Sequence, residues 1–226
     1  MSHTLEPAAR HRLVDIAYEQ IRASIIDGSL AMGSRLKETH IADELQISRG
    51  PVRLAIQRLV EEGLVVERPH TSAVVREFDG SALVDIYNTR IGLERVAFAL
   101  ATRRKADTAP LRRWITDMQR AAETRDPIQV AKAELAFHNE VFLASANRTL
   151  TQAFRGLEGQ ILMALALDDA EFENLGAVAD EHIELVEVIE SGDEGKAMNA
   201  AHDHIVSTVA AVIERLGGDP ALLLRS

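Results

Sequence analysis

Apolar residues recur three and four apart along almost the whole chain, and only residues 64 to 76 carry the β-branched density and turn signals of strands. A chain patterned this way is mainly α-helical, with one small hairpin near its N-terminus. Leu13, Ile16, Ala17, Ile21 and Ile25 predict a first helix, which Asp27-Gly28 stops because Gly28 can take the left-handed conformation after the last turn. Ile41, Ala42 and Leu45 predict a short second helix, broken at Gln46-Ile47. Ser48 is an N-cap residue, and it opens a third helix whose inward positions are Val52, Ala55, Ile56, Leu59 and Val60. Two short strands, Leu64–Arg68 and Ala73–Arg76, follow across Pro69-His70-Thr71-Ser72. The order helix, helix-turn-helix, hairpin is that of a winged helix.

Beyond Phe78 the strand signals stop. Six helices are expected, at about 81–104, 108–123, 127–145, 149–167, 171–191 and 194–216, and they make a bundle the natural architecture. The fold class is therefore mainly α: a winged helix-turn-helix in residues 1–78 and a helical domain in 79–226, with Leu222-Leu223-Leu224 as a loose or docked tail. No run of 18 apolar residues appears, and Met1 to Arg12 lacks the charged-then-apolar order of a targeting segment, so a soluble cytoplasmic protein without membrane association is expected. The 226 residues include no cysteine, which excludes disulfides and thiolate chemistry and leaves His, Asp and Glu to hold any metal.

The net charge of −10 argues against a nucleic-acid partner only until it is divided along the chain. Residues 1–78 balance to −1 and residues 79–226 to −9. Within the first part Ser48 to Val60 holds Arg49, Arg53 and Arg58 and no acid, a local basic face that could meet a phosphate backbone. Arg49 and Arg53 are four apart and share a helix face opposite the apolar one. Either could grip a guanine edge or neutralise phosphate, and an arginine pair at this spacing is by itself most often a solvated face.

The runs Gly33-Ser34-Arg35-Leu36-Lys37-Glu38, Ile41-Ala42, Ile47 to Ile56 and Leu59 to Leu64 together resemble the N-terminal domain of the GntR family of bacterial regulators. That resemblance implies a DNA-reading module in which Arg49 and Arg53 contact double-stranded operator DNA. It also implies a contact from Thr39 on helix 2, Gly50 within the contacting turn, and His70 at a wing tip near the minor groove. Three positions depart from the family pattern: Gly50 stands where Thr is usual, Lys37 where Ser caps helix 2, and Ser72 where a wing-turn glycine is common.

In the helical part, polar residues stand where the period predicts apolar ones, and an uncompensated polar group in a core costs about 1–3 kcal/mol. Arg90 interrupts the stripe Leu83, Ile86, Leu93, Ala97, Leu100, and Glu134 and His138 interrupt Val130, Phe137, Val141. His182 lies between Val178 and Leu185, and His204 follows Ala197 and Ala201. Glu134 and His138 are four apart, and antiparallel packing about Gly192-Asp193 brings His182 level with His204. Three imidazoles and one carboxylate converging in a bundle suit a divalent metal, zinc first, with nickel or another transition metal as alternatives. His202, two residues from His204, must face elsewhere.

Thr89 to Glu94, Glu134 to His138, and Glu181-His182 through Gly192-Asp193 to His204-Ile205 resemble the FCD-type ligand-binding domain of the FadR subgroup. The resemblance implies metal ligation by Glu134, His138, His182 and His204, with Glu134 where Asp is usual. It further implies a small organic-acid effector paired with Arg90, a homodimer, and a repressor controlled by that ligand. Two other readings remain open at this level. The metal could be structural or itself the signal, or it could activate water for hydrolysis. Against the last, the sequence has no His-Glu-x-x-His pair, glycine-rich phosphate loop or nucleophile motif.

Overall fold

The computed structural model describes residues 8–67, 72–169 and 174–225. The chain forms two compact units, Met1–Glu77 and Phe78–Ser226.

The first unit is built from α1 (Ala8–Ile26), α2 (Glu38–Glu44), α3 (Arg49–Glu61), β1 (Val65–Val66) and β2 (Val74–Val75). Val14, Ala17, Ile21 and Ile25 of α1 are buried, as are Val52, Ala55, Ile56 and Leu59 of α3, and the two helices pack together. The buried stripe of α1 is rotated from the expected one: Val14 turns inward while Ile16 is 42% exposed. Glu62, just past α3, fastens this pair by accepting hydrogen bonds from Tyr18 Oη at 2.7 Å and Arg22 Nε at 2.8 Å. Gly28 does adopt a left-handed φ of 77° after α1. Between α2 and α3 the left-handed residue is Gln46, φ 52°, and Ile47 N donates to Ala42 O across the turn.

The strands pair antiparallel, Val65 with Val75 and Val66 with Val74. Residues 33–36 add a third edge that the sequence did not announce: Leu36 N donates to Ala73 O at 2.8 Å and Val75 N to Ser34 O at 2.9 Å. So short a segment has no room to display an alternating pattern. Residues 68–71, and with them His70, lie outside the described residues.

The second unit contains, among the described residues, α4 (Gly80–Arg103), α5 (Ala109–Glu123), α6 (Pro127–Ala144), α7 (Arg148–Arg155), α8 (Glu158–Asp169), α9 (Leu175–Ser191) and α10 (Glu194–Arg215). The single helix expected over 149–167 is thus two. Gly156 occupies the C-cap of α7, and Leu157 N turns to Phe154 O, three residues back, before α8 starts. Most other breaks are enforced by side-chain caps. Asp79, Asp126, Asn147, Asn174 and Asp193 each accept a hydrogen bond from a backbone N–H in the first turn of the helix they precede. Gly192 supplies the left-handed residue that turns α9 into α10, with φ 77°.

Helices α4, α6, α9 and α10 surround the centre of this unit, and each sends polar side chains into it. None of the described helices is long and apolar enough to cross a membrane. The tail docks. After a 3₁₀ turn, Pro220–Leu222, Leu223 is buried, and Asn88 both donates to Leu222 O at 3.1 Å and accepts from Leu224 N at 2.5 Å.

The start of α4 meets the loop after α10 backbone against backbone, Gly80 N donating to Leu216 O at 3.0 Å. A Cβ on Gly80 would stand 2.2 Å from Gly218 N and 2.7 Å from Ile213 O, so neither backbone can yield without parting the helices. Gly80→Ala should destabilise the protein by about 1–3 kcal/mol, read as a lower urea midpoint at unchanged slope.

Candidate nucleic-acid interface and metal centre

Helix α3 begins at Arg49 after Ser48, whose backbone is extended (φ −73°, ψ 158°) as an N-cap requires. Its hydroxyl makes no capping hydrogen bond, contrary to the expectation from residue type. One of the two amides such a cap would reach belongs to the third helical residue, and that residue is Pro51, which has no N–H. Lys37, at the N-cap of α2, makes no side-chain cap either.

Arg49 and Arg53 project from α3 with side chains 58% and 59% exposed. Together with Thr39 and Glu38 of α2 and with Glu67 and Ser72 beside the strands, they line a cleft of about 540 Å³. Three of the five residues expected to meet DNA therefore share one surface. Gly50, half-buried in the first turn of α3, offers backbone alone, and His70 lies outside the described residues. Arg58 does not belong to this face: it pairs with Asp15 of α1 at 2.7 Å and stacks over the Tyr18 ring at 4.0 Å. One residue that sequence reasoning missed is Glu38. It accepts from Arg53 Nε and Nη2, each at 3.0 Å, and from Arg49 Nη2 at 3.2 Å. These arginine bonds outdo a partial burial and hold its carboxyl below the usual range.

In the helical unit Glu134, His138, His182 and His204 are all buried, and one ligand atom from each lies within 4.8 Å of the others. Each ring is oriented from behind. His182 donates from Nδ1 to Val178 O, one turn back on α9, at 2.7 Å. His138 Nδ1 lies 2.6 Å from Glu94 Oε2, and His204 Nδ1 faces Glu181 Oε2 at 3.3 Å. With the Nδ1 atoms facing these oxygens, the Nε2 atoms of His138 and His182 meet at 3.4 Å, and Nε2 of His204 has no hydrogen-bond partner among the described residues. Burial, and then the neighbouring His204 and His138, push the pKa of His182 well below 6.5. Burial likewise lowers His138 to about 4, although Glu94 works against it. Two neutral imidazoles with Nδ1 protonated point lone pairs at each other, and a cation between them removes that repulsion. The donor set therefore fits a divalent metal, with outer carboxylates and a carbonyl fixing the tautomers as such sites require.

Arg90 is fully buried beside this cluster. Its Nε donates to Glu94 Oε1 at 2.7 Å, and its Nη2 lies 4.0 Å from Glu134 Oε1. Among the described residues neither Nη1 nor Nη2 has a hydrogen-bond acceptor. Burial opposes the charge, but Glu94, Tyr87 and Glu134 outweigh it and hold the guanidinium firmly protonated. Burial likewise opposes ionisation of Glu94, yet His138 and Arg90 together hold its pKa at about 2. Glu94 is the second functional residue missed by sequence reasoning, which placed Leu93 in the inward stripe. In the structure Leu93 is only half-buried and Glu94 fully so. The signal was available in the i, i+4 spacing of Arg90 and Glu94. His202 does face elsewhere, its Nε2 donating to Leu224 O of the tail at 2.6 Å.

Comparison with known proteins identifies both units. The profile of bacterial regulatory proteins of the gntR family matches residues 13–75, and that of the FCD domain matches residues 85–207, more than half of the chain. A relative described as "Probable D-xylose utilization operon transcriptional repressor" in Paenarthrobacter nicotinovorans is 29% identical over the full length of both chains. The gluconate operon transcriptional repressor of Bacillus subtilis (strain 168) is 26% identical over 84% of this chain and 81% of its own. Among solved structures, Escherichia coli McbR/YncC shares the fold with a TM-score of 0.73 at 22% identity, covering 90% of this chain and 97% of its own. The matched family and both named relatives are transcriptional regulators and not enzymes, so hydrolysis is set aside. The chain belongs to the GntR family of bacterial transcriptional regulators, in the group that joins a helix-turn-helix module to an FCD domain.

Proposed function

We propose that this regulator is a repressor that binds its operator as a homodimer and is released by a small carboxylate held at a metal centre in the helical unit. The observation that carries the reading is the buried fork of Arg90, two donor nitrogens without hydrogen-bond acceptors among the described residues, beside a four-ligand cluster. Unpaired buried donors are rare because each forfeits hydration, and a planar fork is matched by a carboxylate. Glu134, His138, His182 and His204 would hold the metal, zinc or another divalent transition ion, which would offer its open positions to the ligand's oxygens. Arg90, Glu94 and Glu134 carry a formal charge of −1 together, so a divalent ion leaves +1, which one bound carboxylate neutralises. Glu94 orients Arg90 and His138 at once, and Glu181 steadies His204. The named relatives support a first screen among sugar acids, since one of them is described by a gluconate operon.

Effector binding lowers DNA affinity only if the ligand prefers the conformation less fit for DNA. In the N-terminal unit Arg49, Arg53 and Thr39 would meet the operator, with Gly50 allowing close backbone approach. An alternative role for the metal, as structural support or as the signal itself, makes a distinct prediction: chelation would change stability or DNA affinity while organic acids change neither.

Three outcomes are expected. In a thermal-shift screen of small carboxylates, stabilisation should require the metal, and at a hundredfold excess over Kd it should approach about 2.7 kcal/mol. No shift with any acid, metal present, would remove the effector claim. His182→Ala should lower the bound metal measured by elemental analysis and abolish the metal-dependent shift, whereas unchanged stoichiometry would refute the site. Arg53→Ala should abolish operator binding in a gel-shift assay with helical content intact, and retained binding would remove α3 as the reading helix.

A further inference from the structure

Two arginines on a reading helix can serve sequence recognition or phosphate neutralisation, and spacing alone does not separate the two. The contacts of Glu38 do. Its carboxylate takes the Nε and Nη2 of Arg53 side-on, two bonds of 3.0 Å, while Arg49 reaches it through Nη2 alone at 3.2 Å. All three side chains line the same cleft, and Glu38 is the most enclosed of them, at 26% exposure.

A guanidinium has two edges that can pair with two acceptors at once: the side edge, Nε with one Nη, and the end edge, Nη1 with Nη2. With the side edge of Arg53 committed to Glu38, its end edge, Nη1 with Nη2, remains, held in the plane that the carboxylate sets. Two parallel donors in that arrangement match the O6 and N7 acceptors of a guanine in the major groove. A phosphate needs no such fixed plane.

Resting on the operator-binding reading above, we infer that Glu38 is a specificity-determining residue: it positions Arg53 to read one guanine. It does so in two ways. The buttress removes rotamer freedom from Arg53, so the correct base is met without further ordering. The negative charge also cancels part of the arginine pair's attraction for phosphate, which weakens binding to DNA of any other sequence. An acid on a DNA-facing surface thereby lowers non-specific affinity while sharpening the specific contact.

The test uses the full-length protein and an operator enriched by it from a random duplex library. Binding is then measured for that operator, for each of its single-base-pair variants and for an unrelated duplex, at several salt concentrations. Glu38→Gln keeps the size of the side chain and removes its charge, and Arg53→Lys keeps a charge and removes the fork. Both should lose about tenfold of discrimination at the same G·C pair, with the other positions unchanged. The double variant should lose no more there than either single one. Glu38→Gln should also bind the unrelated duplex several-fold more tightly, with a salt dependence steeper by about one phosphate contact. A Glu38→Gln protein with the parent's preference at every position would overturn the inference, as would one weakened equally on all duplexes. Failure of the parent to enrich any operator would overturn the DNA-binding reading beneath it.

Discussion

A guanidinium can be kept in a bundle core only where ionised partners reach it, and the helical unit is organised around that requirement. Glu94 meets it by dividing its carboxylate, one oxygen accepting from Arg90 and the other against His138. Removing one member of such a buried pair strands the other, typically at a cost of about 3–5 kcal/mol, so these positions are fixed together. The shared carboxylate also decides which nitrogen His138 presents to the centre. Val178 O and Glu181, both on α9, do the same for His182 and His204. The core thereby gives up apolar packing at six places on four helices and obtains a set of oriented donors in return.

The N-terminal unit solves a related problem at its surface. Its overall charge is close to neutral, and several of its arginines are held by partners within the unit. Arg58 is spent on α1, through Asp15 and the face of Tyr18, and Arg22 on Glu62. On the cleft an acid and two arginines lie in contact, so part of the positive charge there is cancelled within the folded chain.

Much of this was readable in the residues. The helix-turn-helix and its hairpin followed from periodicity and turn chemistry. The four candidate ligands followed from polar residues at inward positions of α6, α9 and α10, which the structure brings together. What escaped has physical reasons. Glu94 was hidden because Leu93 beside it satisfies the same stripe, and a one-residue rotation of a helix separates the two readings. The same ambiguity misplaced Ile16 against Val14 on α1. The edge formed by residues 33–36 exists only through pairing with a distant strand, so it leaves no local pattern. Gly156 breaks what the apolar spacing presented as one helix, because a single glycine is compatible with either outcome. Glu38 was quoted within a motif, but its bond to Arg53 spans 15 residues and depends on how α2 and α3 cross.

The docked tail has a mechanical meaning. Asn88 grips it two residues before Arg90 on α4, and His202 grips it two residues before His204 on α10. Two residues along a helix is more than half a turn, so the tail laces the outer faces of the two helices whose inner faces carry Arg90 and His204. The backbone contact of Gly80 with the loop after α10 clasps the same pair at one end. α4 and α10 therefore form a braced beam, and α4 is the helix that continues directly from the N-terminal unit. Arg90 and His204 thus sit on two helices that are tied to each other, and neither helix can shift alone without parting those bonds.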